Sequence, residues 1–153
     1  MPKYSITRLV NHHAQDMFDL VADVEKYPEF LPMCEGLQIV NKVSRDGIDV
    51  LIADMQVGYK FISESFCTEV SLNRNDNTIS TSYIDGPFKY LHNKWTFRDI
   101  PGRSSCLVDF FIDYEFRTKM MSTLMGMVFD RAFSKFAEAF EERANILYKK
   151  TNQ

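Results

Sequence analysis

A chain of 153 residues fits one domain, and 45% hydrophobic residues, with 13 Phe, seven Tyr and one Trp, suffice for a ring-rich core. Eighteen Lys and Arg against 21 Asp and Glu leave a net charge of −3, so no global basic field exists to draw in nucleic acid, DNA included. The widely spaced Cys34, Cys67 and Cys106 form no CxxC pair, which argues against a disulfide framework, and no apolar run approaches the roughly 18 residues of a membrane span.

In chain order, Lys3 to Val10 alternates like a strand, and Asn11 follows as a cap or turn. The first residues, MPKYSITRLV, lack the apolar stretch of a secretory signal, so a cytoplasmic location is expected. Ala14, Met17, Phe18, Val21 and Ala22 recur at helical spacing, predicting a helix over Ala14 to Val24. Pro28 and Pro32 end regular helix and leave an apolar segment, Tyr27 to Met33, suited to a lid or a structural plug.

Leu37 to Val43 and Ile48 to Val57 read as strands joined by Arg45-Asp46-Gly47, since Asp-Gly supplies the positive-φ positions of a tight hairpin. Gly58 is expected to break the second of them. Further strands are expected over Lys60 to Leu72, Thr78 to Ile84 and Tyr90 to Arg98, the last with Leu91, Trp95 and Phe97 on one face. Ser105 to Phe116 alternates cleanly, with Cys106, Val108, Phe110, Ile112, Tyr114 and Phe116 on one side and Asp109, Asp113 and Glu115 on the other. Met120 to Tyr148 is predicted as one long amphipathic helix of about 40 Å.

Runs of strands followed by a closing helix define an α+β single domain over 1–153: a curved antiparallel sheet gripping a long C-terminal helix, with an apolar cavity between them.

Two motifs carry a family likeness. Val21-Ala22-Asp23-Val24-Glu25-Lys26-Tyr27-Pro28-Glu29-Phe30-Leu31-Pro32-Met33-Cys34, and Gly86-Pro87-Phe88-Lys89-Tyr90-Leu91 followed by Trp95-Thr96-Phe97, resemble the coenzyme Q-binding START-domain family of the polyketide cyclase/dehydrase-like superfamily. The likeness runs from about Lys3 to about Tyr148 and extends to the family's bacterial branch of ribosome-association toxins. It implies a helix-grip (START-like) fold and a cavity that binds ubiquinone or a related isoprenoid lipid in support of respiratory electron transport. For the bacterial branch it implies binding to the large ribosomal subunit and blocking of subunit association. A cyclase- or dehydratase-type enzyme is the remaining alternative.

The residues themselves point to a binding protein rather than an enzyme. Met120, Met121, Met125 and Met127 cluster with Leu124, Val128 and Phe129, an adaptable apolar surface suited to a prenyl tail. The expected ligand-binding set is Phe30, Leu31, Met33, Met55, Trp95, Phe110, Ile112, Met121, Leu124, Met125, Val128 and Phe129. Tyr83, Tyr114, His92 and Arg98 are candidate donors to a ligand carbonyl, though no spacing singles one out. His12-His13 are expected at the surface and lack a visible third metal ligand. No carboxylate pair, nucleophile motif or phosphate loop stands out, and no cofactor is required by the residues present. Lys89, Lys94, Arg98 and Arg103 form the one faint basic cluster, and a peripheral visit to the inner membrane is compatible with the composition.

Overall fold

The computed structural model describes residues 3–148. Its elements are β1 (Lys3–Val10), α1 (Ala14–Ala22), a 3-10 turn (Val24–Glu29), β2 (Cys34–Arg45), β3 (Ile48–Tyr59), β4 (Ile62–Asn73), β5 (Thr78–Asp85), β6 (Phe88–Asp99), β7 (Cys106–Phe116), α2 (Lys119–Ser134) and α3 (Phe136–Leu147). The strands form one seven-stranded sheet in the order β1-β7-β6-β5-β4-β3-β2. Every pairing is antiparallel. Register shifts at Ile39/Asn41, Cys67/Thr68 and Phe88/Tyr90 bend the strands that carry them and help curve the sheet.

Local chemistry places the turns. Arg45 pairs with Ile48, leaving Asp46 and Gly47 as a two-residue loop with φ of 53° and 80°, the left-handed pair that a tight hairpin requires. Gly58 does not end β3 as expected. It pairs with Ser63 and donates its N–H to the Met33 carbonyl at 2.9 Å, so the strand runs on to Tyr59. Gly86 has φ of 147°, and a Cβ there would sit 2.5 Å from Phe66 Cβ. Only glycine lets that loop pack so close to β4, and the packing delivers the following Phe88 into the core.

Three helix details differ from expectation. Asn11 does not cap α1; Asp99 of β6 accepts from Ala14 N at 2.8 Å, while Asn11 Oδ1 accepts from Ser105 Oγ at 3.2 Å. The helix ends at Ala22, and the chain then tightens into the 3-10 turn containing Pro28. The closing helix is broken at Lys135: the Ser134 hydroxyl donates to the Arg131 carbonyl at 3.1 Å and Lys135 N–H turns back to Ala132 O at 3.2 Å. Thr118 caps α2 by accepting from Met121 N at 3.0 Å, worth about 1 kcal/mol.

The core lies between the sheet's concave face and the helices. β7 buries every second residue from Cys106 to Phe116. At one end of the sheet, Phe88 sits among Phe66, Tyr83, Tyr114, Phe116 and Phe129 with centroid separations of 5.0–5.7 Å. Each such pair adds roughly 0.5–1.5 kcal/mol beyond area burial, so this cluster holds α2 at Phe129 against the sheet.

Candidate functional site: a neutral cavity between sheet and helices

Beyond the Phe88 cluster, toward the middle of the sheet, the helices no longer fill the concave face. The space left is lined from the sheet by Leu37, Ala53, Met55, Phe66, Thr68, Val70, Ile79, Thr81, Leu91, Asn93, Trp95, Phe110 and Ile112. Val24 and Tyr27 of the 3-10 turn, Phe133 of α2, and Phe136 and Phe140 of α3 complete the wall. The cavity has a volume of about 70 Å³ and opens to solvent at its mouth. Small-molecule sites run roughly 300–1,000 Å³, so a ligand with a long hydrocarbon tail would extend out through the mouth.

No lining residue carries a formal charge. Trp95 packs at a tilt against Phe110 at 4.6 Å and meets Phe140 edge-on at 5.0 Å, joining sheet and α3 at the cavity wall. The Tyr27 hydroxyl donates to the Val21 carbonyl, and burial above all, with Cys34 and Asp23 nearby, pushes its pKa far up, so it stays protonated. A charged head would leave water here with no partner, whereas an uncharged one would not.

Of the residues expected to bind ligand, Met55, Trp95, Phe110 and Ile112 line the cavity. Leu31 is buried in the core, and Phe30 and Met33 pack partly buried against it, so the Tyr27 to Met33 segment backs the wall rather than covering the mouth. Met125, Val128 and Phe129 are buried outside the lining set, Met121 is partly buried, and Leu124 is 60% exposed. The reason is geometric. Only Arg117 and Thr118 separate β7 from α2, so α2 starts beside the strand ends, and Phe129 still packs there on Phe88 and Phe116. The helix reaches the cavity only at Phe133, Phe136 and Phe140.

None of the candidate donors Tyr83, Tyr114, His92 and Arg98 lines the cavity. Tyr83 OH accepts from Phe88 N at 3.0 Å, Arg98 pairs with Asp109 at 2.9 Å, and His92 lies on Tyr90. The Tyr114 hydroxyl is buried without a partner among the described residues, behind the wall against Phe133. Sequence reading passed over three polar lining residues, Thr68, Thr81 and Asn93. The signal was available in β6, where Asn93 takes the inward position between Leu91 and Trp95.

Other chemistry is sparse. His12 is buried, not at the surface, with Nε2 2.7 Å from Asn145 Oδ1; His13 is exposed. Among the described residues no three His, Cys, Asp or Glu side chains gather as a metal site. Likewise, no described helix is long and apolar enough to cross a membrane.

A closing helical segment laid over one curved antiparallel sheet, with a cavity enclosed between them, defines the helix-grip class that includes START-like domains. The chain belongs to the family described as polyketide cyclase / dehydrase and lipid transport, whose model matches residues 10–141. It is 34% identical over 148 residues to the ribosome association toxin RatA of Escherichia coli (strain K12), covering 97% of this chain and 90% of that protein. It is 29% identical over 141 residues to the mitochondrial coenzyme Q-binding protein COQ10 of Drosophila melanogaster, covering 90% of this chain and 56% of that one. A START superfamily protein from Mycobacterium smegmatis superposes with a TM-score of 0.77 at 22% identity, over 95% of this chain and 98% of the other, a likeness of fold.

Proposed function

We propose that the protein is a non-enzymatic carrier of an uncharged hydrophobic small molecule of the quinone or isoprenoid-lipid class. The observation that carries this reading is the cavity wall, built from both sheet and helices without one charged group. Burying a prenyl unit there removes apolar surface from water at about 25 cal/mol per Å², enough for useful affinity over a few units. The similarity to a coenzyme Q-binding protein supports the same class of ligand. A catalytic role is not proposed: the wall holds no acid–base pair, and the thiols are pushed up to about 11 for Cys34 and Cys67 and about 12 for Cys106, chiefly by burial.

The resemblance to ribosome association toxins over nearly the full length of both chains favours a second reading, association with the ribosome through its large subunit. The outer sheet face is a poor surface for RNA. It presents Asp54, Glu69, Asp109, Asp113 and Glu115 against Lys3, Lys94 and Arg98, and Arg98 is already paired with Asp109. Basic residues there would need to be in excess to exploit the phosphate backbone.

One purification separates the readings. The protein is isolated from its own cells in low salt, and both the organic extract and the co-purifying macromolecules are identified by mass spectrometry. The carrier reading predicts a neutral quinone or isoprenoid in near-stoichiometric amount. An empty extract together with large-subunit proteins would overturn it in favour of the second.

A further inference from the structure

The concave face of the sheet is apolar in nearly every row, with one interruption at its centre. Cross-strand pairing sets Val70, Thr81, Asn93 and Ile112 side by side across β4, β5, β6 and β7. The adjacent row on one side is Leu72, Ile79, Trp95 and Phe110. Thr68 lies on the other side, two residues along β4 from Val70. The polar groups therefore sit in the floor of the cavity, surrounded by apolar side chains.

Asn93 keeps hydrogen-bonding capacity beyond its one bond to the sheet. Asn93 Nδ2 donates to the Phe111 carbonyl at 2.9 Å, which fixes the amide plane and leaves one N–H and the Oδ1 oxygen. The Thr68 and Thr81 hydroxyls face the same cavity, Thr68 being only 6% exposed and Thr81 partly exposed. A valine or leucine at these positions would continue the surrounding pattern. Unpaired polar groups in such a place cost stability unless something else completes them.

We propose that Thr81 and Asn93, with Thr68 beside them, form the head-group subsite of the cavity and select a neutral ligand bearing a carbonyl or hydroxyl oxygen. This inference rests on the carrier reading. Hydroxyl and amide together donate and accept, so they complete a carbonyl or a hydroxyl equally well. A carboxylate, phosphate or ammonium finds no counter-charge on this wall. The hydrocarbon remainder of the ligand lies against Trp95, Phe110 and Phe136.

The test compares two neutral probes of equal chain length, a decyl-substituted benzoquinone and decylbenzene, by displacement of the uncharged dye Nile red. Wild-type protein is expected to bind the quinone about tenfold or more tightly than decylbenzene. Thr81→Val and Asn93→Leu are each expected to erode that preference while leaving decylbenzene affinity intact, with melting temperatures unchanged or raised. Thr81→Val is close to isosteric and keeps the test open should Asn93→Leu fold poorly. Equal affinity of wild type for both probes, or undiminished preference in a folded variant, overturns the subsite and leaves the carrier reading standing. Binding of neither probe to wild type overturns both.

Discussion

Cys34, Cys67 and Cys106 are free thiols, Cys34 and Cys106 buried and Cys67 partly so, and desolvation, joined at Cys67 by Asp54, raises them above the ordinary value of 9.0, to about 11, 11 and 12. The unfolded chain releases these protons near pH 9, while the folded chain keeps them until pH 11 to 12. Between those limits the folded state binds more protons, so stability falls as pH rises, and it is fully retained below pH 9. Thermal melts across pH 8 to 11 are therefore expected to show a steady decline. Cys106→Ala should start lower, because a small cavity opens, yet decline less steeply. An identical slope in the variant would show that Cys106 is not buried as described. At the same scale, Trp95, Phe110 and Ile112 were legible as cavity residues because each sits on the inward phase of a clean alternation. Asn93 sits on that phase too, but polarity hid it from a search for apolar stripes.

The 3-10 turn and α3 form the most specifically linked pair of elements beside the cavity. Arg143 reaches from α3 to Glu29 at 2.5 Å, and its guanidinium lies over Phe30 at 5.0 Å. Tyr27 and Phe30 both meet Phe140 edge-on at 5.2 Å. One helix thus clamps the segment that supplies Val24 and Tyr27 to the wall. Arg143→Met keeps the apolar stem but removes the charge, and is expected to cost about 1–2 kcal/mol in urea unfolding. Glu29→Gln should cost less, about 0.5 kcal/mol, since Glu29 is half exposed. Wild-type stability in Arg143→Met would mean the contact holds nothing in place. Sequence periodicity located every strand, because alternation and turn residues agree. It missed the break at Lys135, where no proline or glycine marks the site, and the 3-10 turn, whose apolar residues fit no single period.

For the whole molecule, the order strand, helix, six strands and closing helices determines that one sheet face must be covered by the last segment, which is why the fold was readable from pattern alone. The position of the cavity along that segment was not. The helical part of the expected site lay at Met121 to Phe129, but the short link after β7 sets that stretch beside the strand ends, and the cavity lining begins about one turn later, at Phe133. Composition cannot register such a shift, since Met125 and Phe136 are equally buried and equally apolar in character. A carrier must admit its guest into the space lined by Ala53, Met55, Ile79, Trp95, Ile112 and Phe136. Methyl-labelled NMR during titration with a neutral short-chain isoprenoid quinone reads this directly. The expected result is saturable shifts at the methyls of Ala53, Met55, Ile79 and Ile112, with the exposed Val40, Leu124 and Met127 unmoved. Shifts confined to Leu124 and Met127, with the four cavity methyls silent, would contradict it.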